Sequence, residues 1–492
     1  MEQDAKPNIL WLCTDQQRFD TLGCYGNKFV HTPNLDRLAA SGVRFANAYA
    51  QNPVCTPSRA SFLTGRYPHI CRARQNGVDI PESETLVTRL LHDAGYIGGL
   101  SGKLHLSTCN YSVCKISERR INDGYDYFAW SHGHGPQHDW PMHAYIMWLK
   151  SQGIEYANPR KEDCKYVRTG MPAEYHQTKW CADRAIEFID NVKDFGQPWF
   201  FSFNCFDPHH AFDPPPEYLE RYMPILDEIP LPNYVEGELD DKSPFQRRDH
   251  VGAYGVKGSF AYDKMTARDH RLIRAAYWAM CDFIDVQVGR MLDYLEQSGQ
   301  LENTIILFHS DHGENLGDHG MYLKGPYFYE NCVHVPLIVS WKDKFLSGVT
   351  SDALVELTDL APTLLEACGL PQEKGMQGRS LYDLLTGKAP LDVFRDNVYS
   401  EFCKFIENAA PDEFCTMIRE GNYKLTKIHY VPDKLNEHPC AGELYDLAAD
   451  PTETHNLYND PSKAEIKLHL LELMCDRIAM TCDPIPFNKA PW

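Results

Sequence analysis

No stretch of this chain reaches the roughly 18 consecutive apolar residues that a membrane-spanning helix needs, which excludes a span of that kind. Positive charge is also in short supply. Lysine and arginine number 48 against 68 aspartates and glutamates, a net charge of −20 over 492 residues. A general nucleic-acid binder would present the opposite sign to the phosphates. Internal repeats and low-complexity tracts are missing too. With 43% apolar and 24% charged residues, the composition excludes a disordered or collagen-like chain and fits one with a large buried core. The opening residues, Met-Glu-Gln-Asp-Ala-Lys-Pro, lack the basic segment, apolar segment and cleavage site of a secretory signal. The expected partner is a small molecule, with no nucleic acid and no membrane. An anionic one fits, because a local basic pocket can sit inside an acidic shell. Nothing in the sequence bears on oligomeric state.

Cysteine, by contrast, is plentiful. Seventeen is an odd number, so at least one thiol is unpaired within the chain. Most lie inside apolar runs, as Cys13, Cys205, Cys281 and Cys368 do. Buried reduced thiols behave as small hydrophobes, and such scattering points to a reducing, cytoplasmic setting rather than a disulfide framework.

Short apolar runs alternate with helical patterns, the mark of a mostly parallel sheet covered by helices, an α/β fold. Strands are expected at 8–14, 96–101, 199–205, 304–310 and 336–341. A helix is expected at 84–94 and a long one at 268–297, where Ile273, Tyr277, Met280, Ile284, Val288, Met291 and Leu295 step by three or four. Two long stretches, 106–165 and 207–267, resist regular assignment and suit binding walls or lids. Beyond about 390, short strands at 397–402, 416–418 and 423–428 and a helix at 462–480 predict a smaller α+β unit. The expected division is 1–388 and 389–492.

Three groups of residues carry chemistry. The first is Cys55-Thr-Pro-Ser-Arg59, with Gly65 ten residues after Cys55. Pro57 suits a first helical turn and Gly65 a helix end, so Cys55 is placed at a helix N-terminus. There the N–H groups and the dipole favour an anion, and Arg59 adds charge one turn on. A structural thiol at a helix cap is the plain alternative. The second group is Asp15-Gln16 and Asp311-His312, each closing an apolar strand. In open α/β sheets ligands bind beyond the carboxyl ends of strands, and three oxygen donors with one imidazole suit a hard divalent cation. Calcium or magnesium is favoured, with manganese or zinc also compatible. The third group is basic: Lys103, His105, His209 and Lys324, which could ring the same metal as a cationic pocket.

Cys55-Thr-Pro-Ser-Arg-Ala-Ser-Phe-Leu-Thr-Gly-Arg resembles the type I sulfatase signature, in which the cysteine is oxidised to formylglycine. The likeness also covers PNILWLCTDQQRFDTLGCYGN, SGKLHL, DPHHAFDPP, SDHGENLGDHG, KGPYFYENCVHVPLIV, GRSLYDLL and ELYDLAADPTETHNL. It implies an alkaline-phosphatase-like α/β domain, a C-terminal subdomain with a short antiparallel sheet, and a sulfuric ester hydrolase. Carried over by motif, Cys55 is the precursor that a formylglycine-generating maturation enzyme oxidises to formylglycine. Asp15, Gln16, Asp311 and His312 are metal ligands, with calcium first among the candidates. Arg59 stabilises the hydrated aldehyde, Lys103, His209 and Lys324 contact sulfate, and His105 assists the hydrate. A gem-diol hydroxyl attacks sulfur, the alcohol leaves with a proton from His209 or Lys324, and loss of a proton to His105 expels sulfate.

Three positions depart from that family's pattern. Gln16 stands where many sulfatases have Asp, as in relatives that resemble phosphonate monoester hydrolases, although these generally lack the Lys103-Leu-His105 element. His334 stands where Arg is common, and Ala211 where Pro is common. A phosphonate or phosphate ester hydrolase and an unmodified-cysteine pseudoenzyme that only binds sulfated ligands are therefore the competing readings. Carbohydrate and aryl sulfates are both compatible. Trp130, Trp140, His132, His134, His138 and His143 fall in a loop that could face a sugar or simply pack, and the histidines lack the cysteine partner of a common zinc site.

Overall fold

The computed structural model describes residues 6–135, 140–404, 413–429 and 440–485. Fourteen strands are named here in chain order. They are β1 (Asn8–Thr14), β2 (Val43–Tyr49), β3 (Ile97–Gly102), β4 (Tyr127–Trp130), β5 (Arg160–Lys161), β6 (Cys164–Arg168) and β7 (Trp199–Asn204). After them come β8 (Thr304–Ser310), β9 (His334–Ser340), β10 (Val349–Glu356), β11 (Asn397–Lys404), β12 (Glu413–Glu420), β13 (Tyr423–Ile428) and β14 (Gly442–Asp446). The principal helices are α1 (Pro33–Ala40), α2 (Cys55–Thr64), α3 (Val87–Asp93), α4 (Ala144–Ser151), α5 (Gln177–Val192), α6 (Ala267–Gln297), α7 (Leu360–Ala367) and α8 (Ala464–Met480).

Eight strands make the large sheet in the order β10-β2-β9-β8-β1-β7-β3-β4. All neighbours are parallel except β9, which runs antiparallel to β2 and β8. Alternation along β1 explains the layering. Ile9, Trp11 and Cys13 pack on one face with Phe62 and Leu63 of α2, Leu91 of α3 and Leu364 of α7. Leu10 and Leu12 pack on the other with Ile189 of α5, Leu38 of α1 and Ile284, Val288 and Leu295 of α6. Each large apolar side chain so buried contributes about 1.5–3 kcal/mol. The seven stepping residues of α6 are all buried, and the helix starts in a capping box between Thr266 and Asp269. Its N-terminal half holds the 207–267 segment through Phe212, Tyr218 and Leu226.

Register places the site. Thr14 lies beside Ser310, Cys13 beside Asn204, and Gly102 beside Asn204. Four strands therefore end level, and the segments beginning at 15, 311, 103 and 205 leave from one edge. Gly102 makes the exit of β3 possible: φ is +98°, and a Cβ there would lie 1.9 Å from the Asn204 carbonyl oxygen.

The fold is the α/β class with a second, antiparallel sheet, β11-β12-β13-β14, near the C-terminus. The five expected strands of the large sheet are present, but three more complete it. β2 (VRFANAY) and the edge strand β10 (VTSDALVE) interleave polar residues and form no apolar run, and β4 is only four residues long. The 106–165 stretch, expected to be irregular, contains β4, α4, β5 and the start of β6. Helix α5, which covers β3 and β7, and strand β14 were not anticipated either.

Candidate active site

Helix α2 begins at Cys55, and Gly65 ends it in the left-handed region at φ +67°, its N–H donating to the Ser61 oxygen at 2.8 Å. All ten helix residues are buried. The Cys55 sulfur lies 3.2 Å from His312 Nε2, 3.1 Å from Lys324 Nζ and 3.7 Å from Asp15 Oδ1. Burial opposes ionisation of this thiol, but Lys103, Lys324 and His312 outweigh it and hold the group well below its ordinary value.

Arg59, 1% exposed, binds both strand-end carboxylates: Nε donates to Asp311 Oδ2 at 2.8 Å and Nη2 to Asp15 Oδ2 at 3.2 Å. Its remaining nitrogen, Nη1, donates to the Lys103 carbonyl at 2.9 Å. Lys103 Nζ completes the pairing of Asp15. Burial and the Cys55 thiolate would raise Asp15, yet Lys103, His209 and Arg59 hold it below the usual carboxylate range. Asp311 goes the other way, raised by burial and by Asp15.

The donors fit a divalent cation. Asp15, Asp311, His312 and Cys55 each offer an atom within 4.8 Å of the others. His312 Nδ1 faces the Gly313 carbonyl at 2.9 Å, which leaves Nε2 turned into the cluster. Gln16 Oε1 accepts from Lys324 Nζ at 2.6 Å at the same place. Two carboxylates, an amide oxygen and one imidazole form an oxygen-rich set suited to calcium or magnesium.

Gln16 and His105 both have left-handed backbones, φ +67° and +59°. Such strain costs about 1–3 kcal/mol and persists where neighbours over-determine it. The Gln16 N–H donates to Asp311 Oδ1 at 3.0 Å, and the His105 N–H to Glu118 Oε2 at 2.9 Å. Glu118 also accepts from the Leu106 N–H and from Trp130 Nε1. Sequence reasoning missed this buried carboxylate, which follows no strand and sits in an ordinary polar run. It missed Glu314 as well, which takes the Gln16 side-chain amide and the N–H groups of Leu316 and Leu323.

Above Cys55 opens a cavity of about 670 Å³, lined in part by Lys103, His105, His209 and Lys324. Burial, then Lys103, pushes His105 down to about 4; burial, then Lys324, does the same to His209. All ten expected site residues thus gather at one sheet edge: Cys55, Lys103, His105, His209 and Lys324 line the cavity, Arg59 lies buried on the Asp15 and Asp311 carboxylates, and four are possible metal ligands. The histidines of the aromatic loop separate. His132 lines the cavity, His134 pairs with Asp207 and Asp213, and His143 caps α4, accepting from the Ile146 N–H. His138 lies outside the described residues. Trp130 and Trp140 pack edge to face with centroids 5.3 Å apart. His334 stacks on Phe19 at 3.9 Å and pairs with Glu330.

Residues 7–370 match the family model described as Sulfatase, and residues 317–479 match one described as N-sulphoglucosamine sulphohydrolase, C-terminal. An arylsulfatase of Clostridium perfringens is 31% identical, the alignment covering 94% of this chain and 92% of that protein. An N-acetylglucosamine-6-O-sulfatase of Bacteroides thetaiotaomicron is 28% identical over 96% of this chain and 86% of its own length. The phosphonate monoester hydrolase of Agrobacterium radiobacter shares the fold, with a TM-score of 0.82 at 24% identity over 98% of this chain and 97% of the other.

Proposed function

The chain belongs to the sulfatase family, and we propose that it hydrolyses an O-sulfate ester of a carbohydrate or an aryl alcohol through a formylglycine made from Cys55. The observation that carries this is Cys55 itself, at a helix start on the floor of a cationic cavity, 3.1 Å from Lys324 Nζ and 3.2 Å from His312 Nε2. Oxidised and hydrated, residue 55 supplies a hydroxyl nucleophile better than an ordinary alcohol. A divalent cation held by Asp15, Gln16, Asp311 and His312, calcium in first place and magnesium, manganese or zinc as alternatives, supplies positive charge and acidity there.

The chain's own residues do the rest. Lys103, Lys324 and His209 bind the sulfate oxygens and stabilise charge that spreads over them in the transition state. Arg59 fixes the two ligand carboxylates, and through them the field around residue 55. His105, held near neutral form by burial, accepts a proton from the hydrate. His209 or Lys324 gives one to the leaving oxygen. The residue that does so will be the one whose alanine variant loses more activity on alkyl than on aryl sulfates.

Since every residue of α2 is buried, the maturation enzyme must meet Cys55 before the chain closes over it. The reading also divides the chain into a catalytic unit, 1–388, and a C-terminal unit, 389–492. A cytoplasmic setting is part of it, supported by Cys13, Cys205, Cys281 and Cys368, all buried and in no disulfide. Among the described residues no helix is long and apolar enough to cross a membrane.

Two measurements test the proposal. Mass spectrometry across Cys55 in active protein should show formylglycine, and a plain thiol there would end that mechanism. Sulfate and phosphate release from paired aryl esters should favour sulfate. Faster phosphoester or phosphonate turnover would move the chain to the competing chemistry, and no turnover with an intact thiol would leave a binding protein.

A further inference from the structure

The cavity above Cys55 extends well past the groups needed for one sulfate. Its far wall is the hairpin β5–β6, which contributes Arg160, Lys165 and Arg168. We propose that this hairpin is a second anion subsite, selecting substrates whose leaving group carries a further sulfate or a carboxylate. The proposal rests on the sulfatase reading and deepens it by naming the substrate class.

Charge is the first observation. No aspartate or glutamate lines the cavity among the described residues, although the chain carries a net charge of −20. Arg160, Lys165 and Arg168 pair with no carboxylate among those residues. Lys165 Nζ lies 4.9 Å from the Tyr166 ring, and Arg168 donates to the backbone oxygen of Asn158 at 3.2 Å and its Oδ1 at 3.3 Å. The other lysine of the hairpin behaves differently. Lys161 lies 4.0 Å from Asp163, which is itself tied to Arg268 at 2.8 Å, and Lys161 does not line the cavity. Cations left unpaired in an acidic protein, all on one wall of the reaction cavity, focus a positive field on whatever enters it.

Placement is the second observation. The hairpin is fastened by backbone bonds to the segment that carries His209. The Arg168 N–H donates to the Phe212 oxygen at 2.9 Å, the Gly170 N–H to the Pro214 oxygen at 3.1 Å, and Val167 bridges to Phe212. These backbone bonds, rather than a free loop, hold the hairpin beside the segment that carries His209. Tyr166 and Phe260, with ring centroids 5.7 Å apart, wall the space between. Apolar faces with charged groups beyond them suit a pyranose bearing a second anionic substituent. A volume near 670 Å³ is in the range of sites that enclose such a molecule. A cationic leaving group would meet repulsion there.

The test uses matured protein and three pyranose substrates with the same scissile sulfate: one with no other charge, one with an added sulfate, one with a carboxylate. The wild type should show a kcat/KM higher by about 10-fold on at least one dianion than on the neutral sugar, two exposed charge pairs being worth about that much. Which of the two dianions gains identifies the second group. Arg160→Gln with Lys165→Gln should bring the ratio close to one, while Lys161→Gln keeps it; both hairpin cations removed are exposed, and thermal melting checks the fold. Equal kcat/KM on all three sugars, or a preference that survives the double variant, overturns the proposal. The same ranking measured as calorimetric affinity in Cys55→Ser protein separates it from the parent reading. A ranking that persists without turnover in matured protein strikes the sulfatase chemistry and leaves the subsite standing.

Discussion

Gln16 illustrates how one residue's identity follows from its neighbour. Its amide oxygen accepts from Lys324 at 2.6 Å, while its amide nitrogen donates to Glu314, which is fully buried. An aspartate at this position, the commoner choice in the family it resembles, would set two carboxylates against each other. The like charge and the lost donor both oppose it. Gln16→Asp should therefore destabilise the chelator-treated protein by on the order of 1–3 kcal/mol, and Glu314→Gln in the same chain should restore most of the loss. Urea unfolding of the two single variants and the double variant measures the coupling. Additive effects would mean that the pair does not constrain residue 16. The partner was readable in principle, since Glu314 follows the Asp311-His312 strand end by two residues. Glu118 was not, because its importance arises from the folded position of His105 alone.

At the scale of elements, strand ends were the readable part. β1 and β8 are unbroken apolar runs because both their faces are covered, and each closes on the acidic residue that enters the site. β2 and β10 pair with each other at the side of the sheet, where Arg44, Asn47, Thr350 and Asp352 keep contact with solvent, so no hydrophobic run marks them. Loops joined to the site follow a different logic, that of ion pairs. His134 lies between Asp207 and Asp213, with Nε2 at 2.5 Å from Asp207 and Nδ1 at 2.7 Å from Asp213, and His176 faces Asp207 from α5's cap. Burial would lower His134, but Asp213 and Asp207 raise it from 6.5 to about 10. A folded-state value above the unfolded one means the contribution to stability is whole below about pH 6.5 and disappears as pH rises through 10. Between pH 7 and 10 the wild type should lose stability on this account. His134→Gln should be less stable at pH 6 and converge on the wild type toward pH 10. Melting temperatures across that range check it, and a constant gap between the two proteins would show that packing rather than charge is what His134 supplies.

For the whole molecule, the question is why a second sheet is attached to a complete α/β layer. Its contacts converge on the flanks of α2. The Glu401 N–H in β11 donates to the Gln51 oxygen at 3.0 Å, and the Glu401 oxygen accepts from Asn52 Nδ2 at 2.6 Å, just before Cys55. Beyond the helix, the His69 N–H donates to Glu401 Oε1 at 2.6 Å. Glu356, at the end of β10, draws the same parts together: it accepts from Tyr67, from Arg395 at 3.0 Å, from Arg477 of α8 at 2.7 Å and from the Tyr399 N–H at 2.8 Å. Burial would raise this carboxyl, but Arg395 and Arg477 hold it below its usual value, so its contribution is present above about pH 4.5 and fades as pH falls. Removing it leaves the buried Arg395 with Asp359 alone and the partly buried Arg477 without its carboxylate, a loss of about 3–5 kcal/mol for a broken buried network. Glu356→Ala should therefore unfold at lower urea, with a shallower fall in stability on acidification. Hydrogen exchange should quicken together in residues 397–404 and 55–64, because the second sheet braces the helix that presents residue 55. Faster exchange in the C-terminal strands alone would mean that α2 is held by the large core without them.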